Sequence, residues 1–268
     1  MNILKYWTSE EFEISSYKWH LSDRKNKTYT TSGSDNTGLC KYTYNELGFR
    51  GDSVNKKGFK VMSLGCSLTE GVGVNDNETW PHYFSQLIPN SVDLNFGISG
   101  ASNDLIIRIL ITYFDLIKPD LVLIMYTEPI RKEVYTKSGE IHPYSPTGKW
   151  GYMVDTDDGN KIQLYKTLLQ NDNEDTINWY KNHLLVKYFL ENKNCKWVWN
   201  GWFNISTTYK EFNRFDGGYN HFVDKGADEC HPGFEHHKSY SLKLYNHIYK
   251  NFNNYLPNNC KELQKSIL

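Results

Sequence analysis

The sequence has almost no net charge and no long apolar run. Its 30 Lys and Arg residues are balanced by 31 Asp and Glu residues, so the formal net charge is −1. Binding to nucleic acid or to an anionic membrane surface generally needs a basic excess, and we expect neither partner. No stretch approaches the roughly 18 apolar residues of a membrane-spanning helix, and the start, MNILKYWTSEEFE, turns acidic early. We therefore expect a cytoplasmic or virion-associated protein without a signal peptide.

Alanine and paired cysteines are also scarce. Alanine occurs only at Ala101 and Ala227, whereas Asn, Lys and Tyr are abundant, a pattern typical of AT-rich coding in a phage or a low-GC bacterium. The 5 cysteines are an odd number and form no C-x-x-C pair, which favours free thiols over a disulfide framework. They are Cys40, Cys66, Cys195, Cys230 and Cys260.

Strand-like and helix-like segments alternate from residue 59 onward. The apolar runs FKVMSLG, SVDLNFG, DLVLIMY and CKWVWNGW predict strands, and the segments from about Thr79, Asn103, Thr176 and Phe234 predict helices. Short strands that alternate with helices imply a mostly parallel sheet with helices on both faces. The predicted fold class is therefore α/β, a three-layer α/β/α sandwich.

The chain is long enough for one large domain with two less regular parts. Residues 1 to 55 show no sustained period of two or 3.6, and we predict an N-terminal extension packed on the domain. The domain itself is predicted over residues 56 to 268. Residues 132 to 172 are rich in Gly, Pro, Asp and Asn, which predicts an insertion or lid.

Candidate site residues follow the predicted strands, at the edge where parallel α/β sheets bind ligands. Strand one ends in GCSLTEG with Ser67, strand two in NFGISGASND with Gly100 and Asn103, and strand three in YTEPIR with Thr127 and Arg131. A fourth piece, DECHPG, supplies Asp228 and His231 before the last helix.

Serine, histidine and aspartate together indicate nucleophilic catalysis. A serine hydroxyl needs a base to take its proton, and an imidazole does this best when a carboxylate holds its other nitrogen. The order Ser, Asp, His is also that of α/β-hydrolases, but their G-x-S-x-G motif would need glycine where Thr69 stands. Structural alternatives stay open: Ser67 fits an S-x-x-E capping box, Gly100 a helix entry, and the D-x-x-H spacing a capped helix start.

The four pieces resemble the conserved blocks of the SGNH hydrolases, the GDSL esterase/lipase superfamily. GCSLTEG is similar to the nucleophile block, and the D-x-x-H spacing of Asp228 and His231 is similar to the last block. NELGFRG and SGASNDLI also resemble a subgroup of bacterial and phage members. The resemblance implies a flavodoxin-like fold, Ser67 as nucleophile, His231 as base oriented by Asp228, and an oxyanion hole that includes the N–H groups of Ser67 and Gly100.

Two positions differ from the family pattern. Cys66 stands where the family has aspartate; it could itself be a nucleophile, but a buried, inert thiol is the favoured interpretation. The third block has Thr127 and Glu128 and lacks the asparagine that completes the family's oxyanion hole. Asn103 is the preferred substitute donor and Thr127 the second, while a helix N-cap is the structural alternative for Asn103.

Other side chains give weaker indications. Arg131 could bind a carboxylate or sugar oxygen, or could pair with Glu128 or Glu133 on the surface. Adjacent His236 and His237 face different ways on a helix and lack further ligands, so we expect no metal and no cofactor. The aromatic segments at 142 to 152 and 197 to 203 could stack on sugar rings or fill the core.

The leading hypothesis is a serine esterase that hydrolyses an O-acyl ester through an acyl-enzyme. An acetyl ester on a glycan or another small acyl ester would be the substrate. An O-acyltransferase with the same triad is a variant of this hypothesis. The alternative from another class is a glycan-binding or structural module that keeps the fold and has lost catalysis, as Cys66 and the altered third block would allow.

Overall fold

The computed structural model describes residues 24–32, 39–135, 141–144, 172–201, 214–215 and 222–263. Its strands are β1 (Thr28–Ser32), β2 (Leu39–Thr43), β3 (Arg50–Gly51), β4 (Phe59–Gly65), β5 (Ser91–Gly97), β6 (Leu121–Tyr126), β7 (Lys132–Tyr135), β8 (Ile141–Tyr144) and β9 (Lys196–Gly201). Its α-helices are α1 (Ser67–Glu70), α2 (Trp80–Gln86), α3 (Asn103–Ile117), α4 (Asp172–Asn192) and α5 (Phe234–Asn251). Short 3₁₀ turns cover Asp76–Glu78 and Asn253–Tyr255.

The central sheet has five strands in the order β3-β5-β4-β6-β9. The strands β5, β4, β6 and β9 run parallel, and β3 pairs antiparallel with β5 at the edge. Val61 of β4 pairs with Asp93 of β5 on one side and with Leu121 of β6 on the other, so β4 lies between β5 and β6. This order is that of flavodoxin-like doubly wound sheets, whose ligand crevice lies at the carboxyl end of the central strand.

Helices cover both faces of the sheet. The helices α2 and α5 pack on each other and α2 packs on β5, whereas α3 packs on α4 and on β4. The chain passes from β4 to β5 through α2, and then from β5 to β6, on the other side of β4, through α3. The two connections thus run in opposite directions along the sheet. Because both are right-handed crossovers, they place α2 and α3 on opposite faces. The predicted α/β class with three layers is confirmed.

The core explains why these segments are strands. All six residues of β6 are buried, as are the last five of β4, because the helix layers cover both faces of the central strands. Such strands are continuously apolar instead of alternating, which is the pattern that the sequence shows.

Trp197 and Trp199 of β9 belong to this core, since they are 3% and 1% exposed and contact the His183 ring. Of the two alternatives, these two tryptophans therefore fill the core and do not stack on sugar. Trp202 and Phe203 of that segment, and 145 to 152 of the other, lie outside the described residues.

The N-terminal part forms an antiparallel hairpin of β1 and β2, followed by β3. The proposed boundary between residues 55 and 56 stays a prediction; β3 precedes that boundary and pairs with the main sheet. Of the predicted insertion at 132 to 172, the structure describes a second hairpin of β7 and β8 and the first residue of α4. In the described ranges no helix is long and apolar enough to cross a membrane.

Candidate active site

Ser67 begins α1, directly beyond the carboxyl end of β4. Cys66 is the N-cap of this four-residue helix, with φ −94° and ψ −151°. The helix lies very close to the sheet because Gly65 and Gly97 have no side chains; a Cβ at either glycine would overlap Thr69 or Glu70. The tight turn thus holds the Ser67 hydroxyl at the carboxyl end of β4, the strand from which the chain continues first to β5 on one side and later to β6 on the other.

Ser67, His231 and Asp228 form a continuous hydrogen-bonded chain. The Ser67 Oγ lies 3.0 Å from His231 Nε2, and His231 Nδ1 lies 2.5 Å from Asp228 Oδ2. Ser67 and His231 are 164 positions apart in the sequence, and Asp228 lies on the same loop as His231. The capping-box alternative for Ser67 is not observed, since Cys66 is the N-cap and the hydroxyl is bonded to the imidazole.

Asp228 is held in its charged form. Burial opposes ionisation, but the hydrogen bonds from the His231 ring, from the His231 backbone N–H and from the Cys230 N–H outweigh it and lower the Asp228 pKa to about 2. An ionised carboxylate only accepts hydrogen bonds, so His231 donates from Nδ1 and its Nε2 is left to accept the Ser67 O–H. This is the tautomer that a general base for serine requires.

The loop that supports Asp228 and His231 is fastened at two places. Asp224, which the sequence analysis missed, caps α5: its carboxylate accepts the N–H groups of Glu235 and His236 at 3.1 and 2.8 Å. Asp228 therefore does not serve as the helix cap. At the other end, the Ala227 N–H donates to the Gly73 carbonyl at 2.8 Å, which ties the loop to the chain after α1.

Gly100 lies in a turn and not inside a helix. Its φ is +79°, and the Ala101 N–H donates to the Ile98 carbonyl to close the turn. A positive φ at the third residue of a turn favours glycine. The helix α3 begins three residues later, so the helix-entry alternative is not observed.

The backbone N–H groups of Ser67, at the start of α1, and of Gly100 have no hydrogen-bond acceptor within the described part of the chain. The turn and the helix are neighbours, because the Ile98 N–H donates to Gly65 and the Ser99 N–H donates to the Glu70 carboxylate. Such groups are suited to bind an oxyanion.

Asn103 has other partners than the sequence suggested. Its amide nitrogen donates to the carbonyl of Thr127 at 3.0 Å and of Glu128 at 3.4 Å, and its Oδ1 accepts the Thr127 N–H. Ser102, and not Asn103, is the N-cap of α3. In this structure Asn103 joins the end of β6 to α3. A role of Asn103 in an oxyanion hole stays a prediction.

The remaining candidates lie beyond β6. Thr127 is fully buried, with its N–H given to Asn103. Arg131 Nε lies 3.3 Å from Glu128 Oε2, which is the ion pair that the sequence offered as an alternative to substrate binding. A substrate contact by either residue stays a prediction.

Glu70 and its partners were missed by the sequence analysis. Glu70 is 2% exposed; its Oε1 accepts Arg24 Nη1 at 2.9 Å and the Tyr44 O–H at 3.0 Å. Arg50, also buried, donates to the carbonyls of Glu70 and Gly71 at 2.7 Å. The NELGFRG segment contains Arg50 and resembles a subgroup of the family, but this resemblance predicted none of the contacts of Arg50 or Glu70.

The other residues that the sequence singled out have structural partners. Cys66 is buried, and all 5 cysteines are free thiols, as predicted. His237 accepts the Trp80 N–H and His236 accepts the Val223 N–H, so the two rings face different partners. In the ranges that the structure describes, no group of three or more His, Cys, Asp or Glu side chains could hold a metal ion.

The fold and the site together define a class: a parallel α/β sheet with a hydrogen-bonded serine, histidine and aspartate at its carboxyl edge. No protein-family model matches the chain, and no curated protein matches it.

Solved structures do match. A member of the lipolytic G-D-S-L family from Veillonella parvula is 16% identical, with 72% of this chain and 98% of that chain covered and a TM-score of 0.33. A carbohydrate acetylesterase family member from Sinorhizobium meliloti is 13% identical, with 72% and 99% covered and a TM-score of 0.35. An acetyl-xylooligosaccharide esterase from Geobacillus is 16% identical, with 73% and 95% covered and a TM-score of 0.33.

The family name printed for the Veillonella parvula protein, G-D-S-L, is also the name of the superfamily that the sequence motifs resemble. Similarity at these identities concerns the fold, and TM-scores this low support no statement about activity. The chemistry of the site therefore has to be argued from its own geometry.

Proposed function

We propose that the protein is a serine esterase of the SGNH type that hydrolyses an O-acyl ester through an acyl-enzyme. The observation that supports the proposal is the chain from Ser67 Oγ to His231 Nε2, 3.0 Å, and from His231 Nδ1 to Asp228, 2.5 Å. These distances allow proton transfer from the hydroxyl to the imidazole, and the low pKa of Asp228 keeps a negative charge beside the imidazolium that forms.

In the proposed acylation step, Ser67 Oγ attacks the carbonyl carbon of the ester while His231 Nε2 takes the hydroxyl proton. The carbonyl oxygen becomes an oxyanion, which the N–H groups of Ser67 and Gly100 stabilise. The tetrahedral intermediate collapses, the bond to the alcohol oxygen breaks, and His231 returns the proton to the leaving alcohol. The acyl group is then an ester of Ser67.

In the proposed deacylation step, His231 takes a proton from water, and the hydroxide attacks the acyl carbonyl. The bond to Ser67 Oγ breaks, the proton returns to Ser67, and the carboxylic acid leaves. Asp228 orients the ring throughout and does not exchange a proton itself.

The oxyanion hole is proposed to have two donors instead of three. The family's third-block asparagine is missing, and the amide of Asn103 is engaged with residues 127 and 128. Removal of one such donor typically lowers the rate by about 10²–10³, so we expect turnover well below that of a complete site. As the substrate class we propose short O-acyl esters, with an O-acetyl group on a carbohydrate as the first to examine.

The decisive experiment measures acetate release from acetylated sugars and short p-nitrophenyl esters by wild type and by Ser67→Ala. We expect hydrolysis by the wild type and its loss in the variant. Ser63→Ala is the matched control, because it also removes a buried hydroxyl, on the strand that leads to Ser67, and this hydroxyl has no partner among the described residues. It should retain activity.

Other outcomes separate the alternatives. Acetyl transfer to a sugar acceptor that exceeds hydrolysis would favour an O-acyltransferase with the same triad. No turnover of any ester by a folded wild type would contradict the proposal and favour a module without catalysis.

A further inference from the structure

Glu70 is a buried carboxylate that the proposed reaction does not use. It is the last residue of α1, three positions after Ser67, and is 2% exposed. A buried charge is costly unless it is paired and hydrogen-bonded. Both oxygens of Glu70 accept hydrogen bonds, so the carboxylate is held in one orientation.

The two oxygens point to different parts of the molecule. Oε2 accepts the backbone N–H of Ser99 at 2.5 Å. Oε1 accepts Arg24 Nη1 at 2.9 Å and the Tyr44 O–H at 3.0 Å. One carboxylate therefore joins the nucleophile helix, the turn that contains Gly100, and the N-terminal segment.

The bond to Ser99 is close to the proposed oxyanion hole. The Ser99 N–H belongs to the peptide that precedes the one containing the Gly100 nitrogen, so the bond to Glu70 restricts the Gly100 N–H through only the two backbone dihedral angles of Ser99. The other proposed donor, the Ser67 N–H, lies at the opposite end of α1 from Glu70. The distance between the two donors thus depends on the link from Glu70 to Ser99.

We propose that Glu70 is a positioning residue that sets the oxyanion hole, by fastening the turn at Ser99 and Gly100 to the helix that begins at Ser67. The inference rests on the proposed function. Arg24 and Tyr44 hold the second oxygen and so fix the orientation of the carboxylate. They give the N-terminal segment a part in the site without contact with the substrate.

The surroundings of Glu70 keep this arrangement stable. Arg24 is itself 5% exposed and stacks on the Tyr44 ring, with its guanidinium carbon 5.0 Å from the centroid. Burial and the negative charge of Glu70 raise the pKa of Tyr44 far above its usual range, so its hydroxyl remains a donor. Arg50 donates hydrogen bonds to the Glu70 and Gly71 carbonyls, and these bonds fix the C-terminal end of α1.

The test compares Glu70→Leu, which leaves no acceptor for the Ser99 N–H, with the double variant Arg24→Met/Glu70→Leu. The single variant removes the ion pair of Glu70 with Arg24 and should lose stability, whereas the double variant also removes the buried arginine charge and should regain part of it. We expect kcat on p-nitrophenyl acetate to fall roughly 10- to 100-fold in both, with little change in KM, because a displaced donor weakens transition-state binding.

Glu133→Leu is the matched control. Glu133 is also buried and paired with an arginine, with Arg108 Nη2 at 2.6 Å, and it contacts neither α1 nor the turn at Ser99 in the described structure. It should lose stability like Glu70→Leu but keep the kcat of its folded fraction. This separates a loss of folding from a displaced oxyanion donor.

The outcomes are distinct. An active wild type with unchanged kcat in Glu70→Leu, or with kcat restored together with stability in the double variant, overturns the positioning role and leaves the esterase proposal intact. A wild type with no turnover and no acyl-Ser67 overturns both.

Discussion

Gly73 packs directly against Asp228, so its lack of a side chain bears on the position of that carboxylate. Its φ is +87°, and a Cβ at this position would lie 2.8 Å from Asp228 Oδ1. The Gly73 carbonyl also accepts the Ala227 N–H, so the backbone here and the loop that carries Asp228 are in direct contact. Gly73 thus controls the triad without belonging to it.

Gly73→Ala should lower esterase activity strongly while the protein still folds. The new methyl group pushes against the Asp228 carboxylate, and displacement of a catalytic group by about 1 Å can lower the rate by about 10²-fold. The backbone strain adds a cost of about 1–2 kcal/mol. The measurement is kcat per folded molecule, with folding followed by circular dichroism.

Gly48→Ala is the control for this prediction. Gly48 has a similar φ of +86° in the turn that follows Asn45, distant in sequence from the triad residues. It should lose comparable stability and keep its kcat. Equal activity in the two variants would show that Gly73 does not constrain Asp228.

The sequence predicts that Ser67, Asp228 and His231 lie together because their spacing and context are local: serine follows a strand, and aspartate and histidine are three apart on one loop. The structure shows these three side chains hydrogen-bonded, while their catalytic role stays a proposal. The Glu70 contacts could not be predicted, because Arg24 lies 46 positions before Glu70 and Tyr44 lies 26 before it, and no short motif reports such contacts. The hydrogen bonds of Asn103 to the end of β6 could not be predicted for the same reason.

At the scale of elements, the start of α5 determines where His231 lies. Asp224 caps α5 through the N–H groups of Glu235 and His236, and the Gly233 N–H donates to the Asp224 carbonyl. A Cβ at Gly233 would overlap the Asp224 carboxylate, so glycine is required beside the cap. The cap closes the loop that contains Asp228 and His231.

Asp224→Ala should lower both stability and activity. Loss of a helix N-cap costs about 1 kcal/mol, and here the loop of His231 is released as well. Thr79→Ala removes the cap of α2, where Thr79 Oγ1 accepts the His82 N–H. That variant should show a similar loss in the free energy of unfolding with unchanged kcat, measured by urea unfolding and ester hydrolysis. Unchanged kcat in Asp224→Ala would contradict the account.

The regular elements of the sheet layer were predictable, and the two hairpins were not. FKVMSLG and SVDLNFG coincide with β4 and β5, and α3 spans the predicted Asn103–Ile117, because buried strands and amphipathic helices have strong apolar patterns. The strand β1, TYTTS, is largely polar, and β2, LCKYT, mixes apolar and polar residues over only five positions. Such strands are specified by pairing with each other, which a pattern along one segment does not show.

At the scale of the whole molecule, the near-zero net charge conceals several buried charges. Arg24, Arg50, Arg108, Glu70 and Glu133 are each at most 7% exposed. Charge counts in a sequence do not distinguish such groups from surface ones. The fold tolerates them because each has a charged or carbonyl partner inside the structure.

Acid should destabilise the protein in two steps. Burial lowers the pKa of His237 from 6.5 to about 3. Asp228 titrates at about 2 instead of 3.8, because hydrogen bonds outweigh its burial. In both windows the unfolded chain binds more protons than the folded one, so the free energy of unfolding falls as the pH falls, first from about 6.5 to 3 and then from 3.8 to 2.

His237→Gln tests the first window. Glutamine keeps an acceptor for the Trp80 N–H and does not titrate. The dependence of unfolding free energy on pH between 7 and 4 should become shallower, by up to about 1.4 kcal/mol per pH unit. Urea unfolding at several pH values measures it, and parallel curves for the two proteins would contradict the assignment.

The central claim is that Ser67 is a nucleophile activated by His231 and Asp228. Its most direct test is reaction with a fluorophosphonate, followed by mass spectrometry of the digested protein. The account predicts one phosphonate on the peptide that contains Ser67, with loss of labelling in Ser67→Ala and strong slowing in His231→Asn. Absence of labelling in the folded wild type, or labelling that persists in Ser67→Ala, would contradict it.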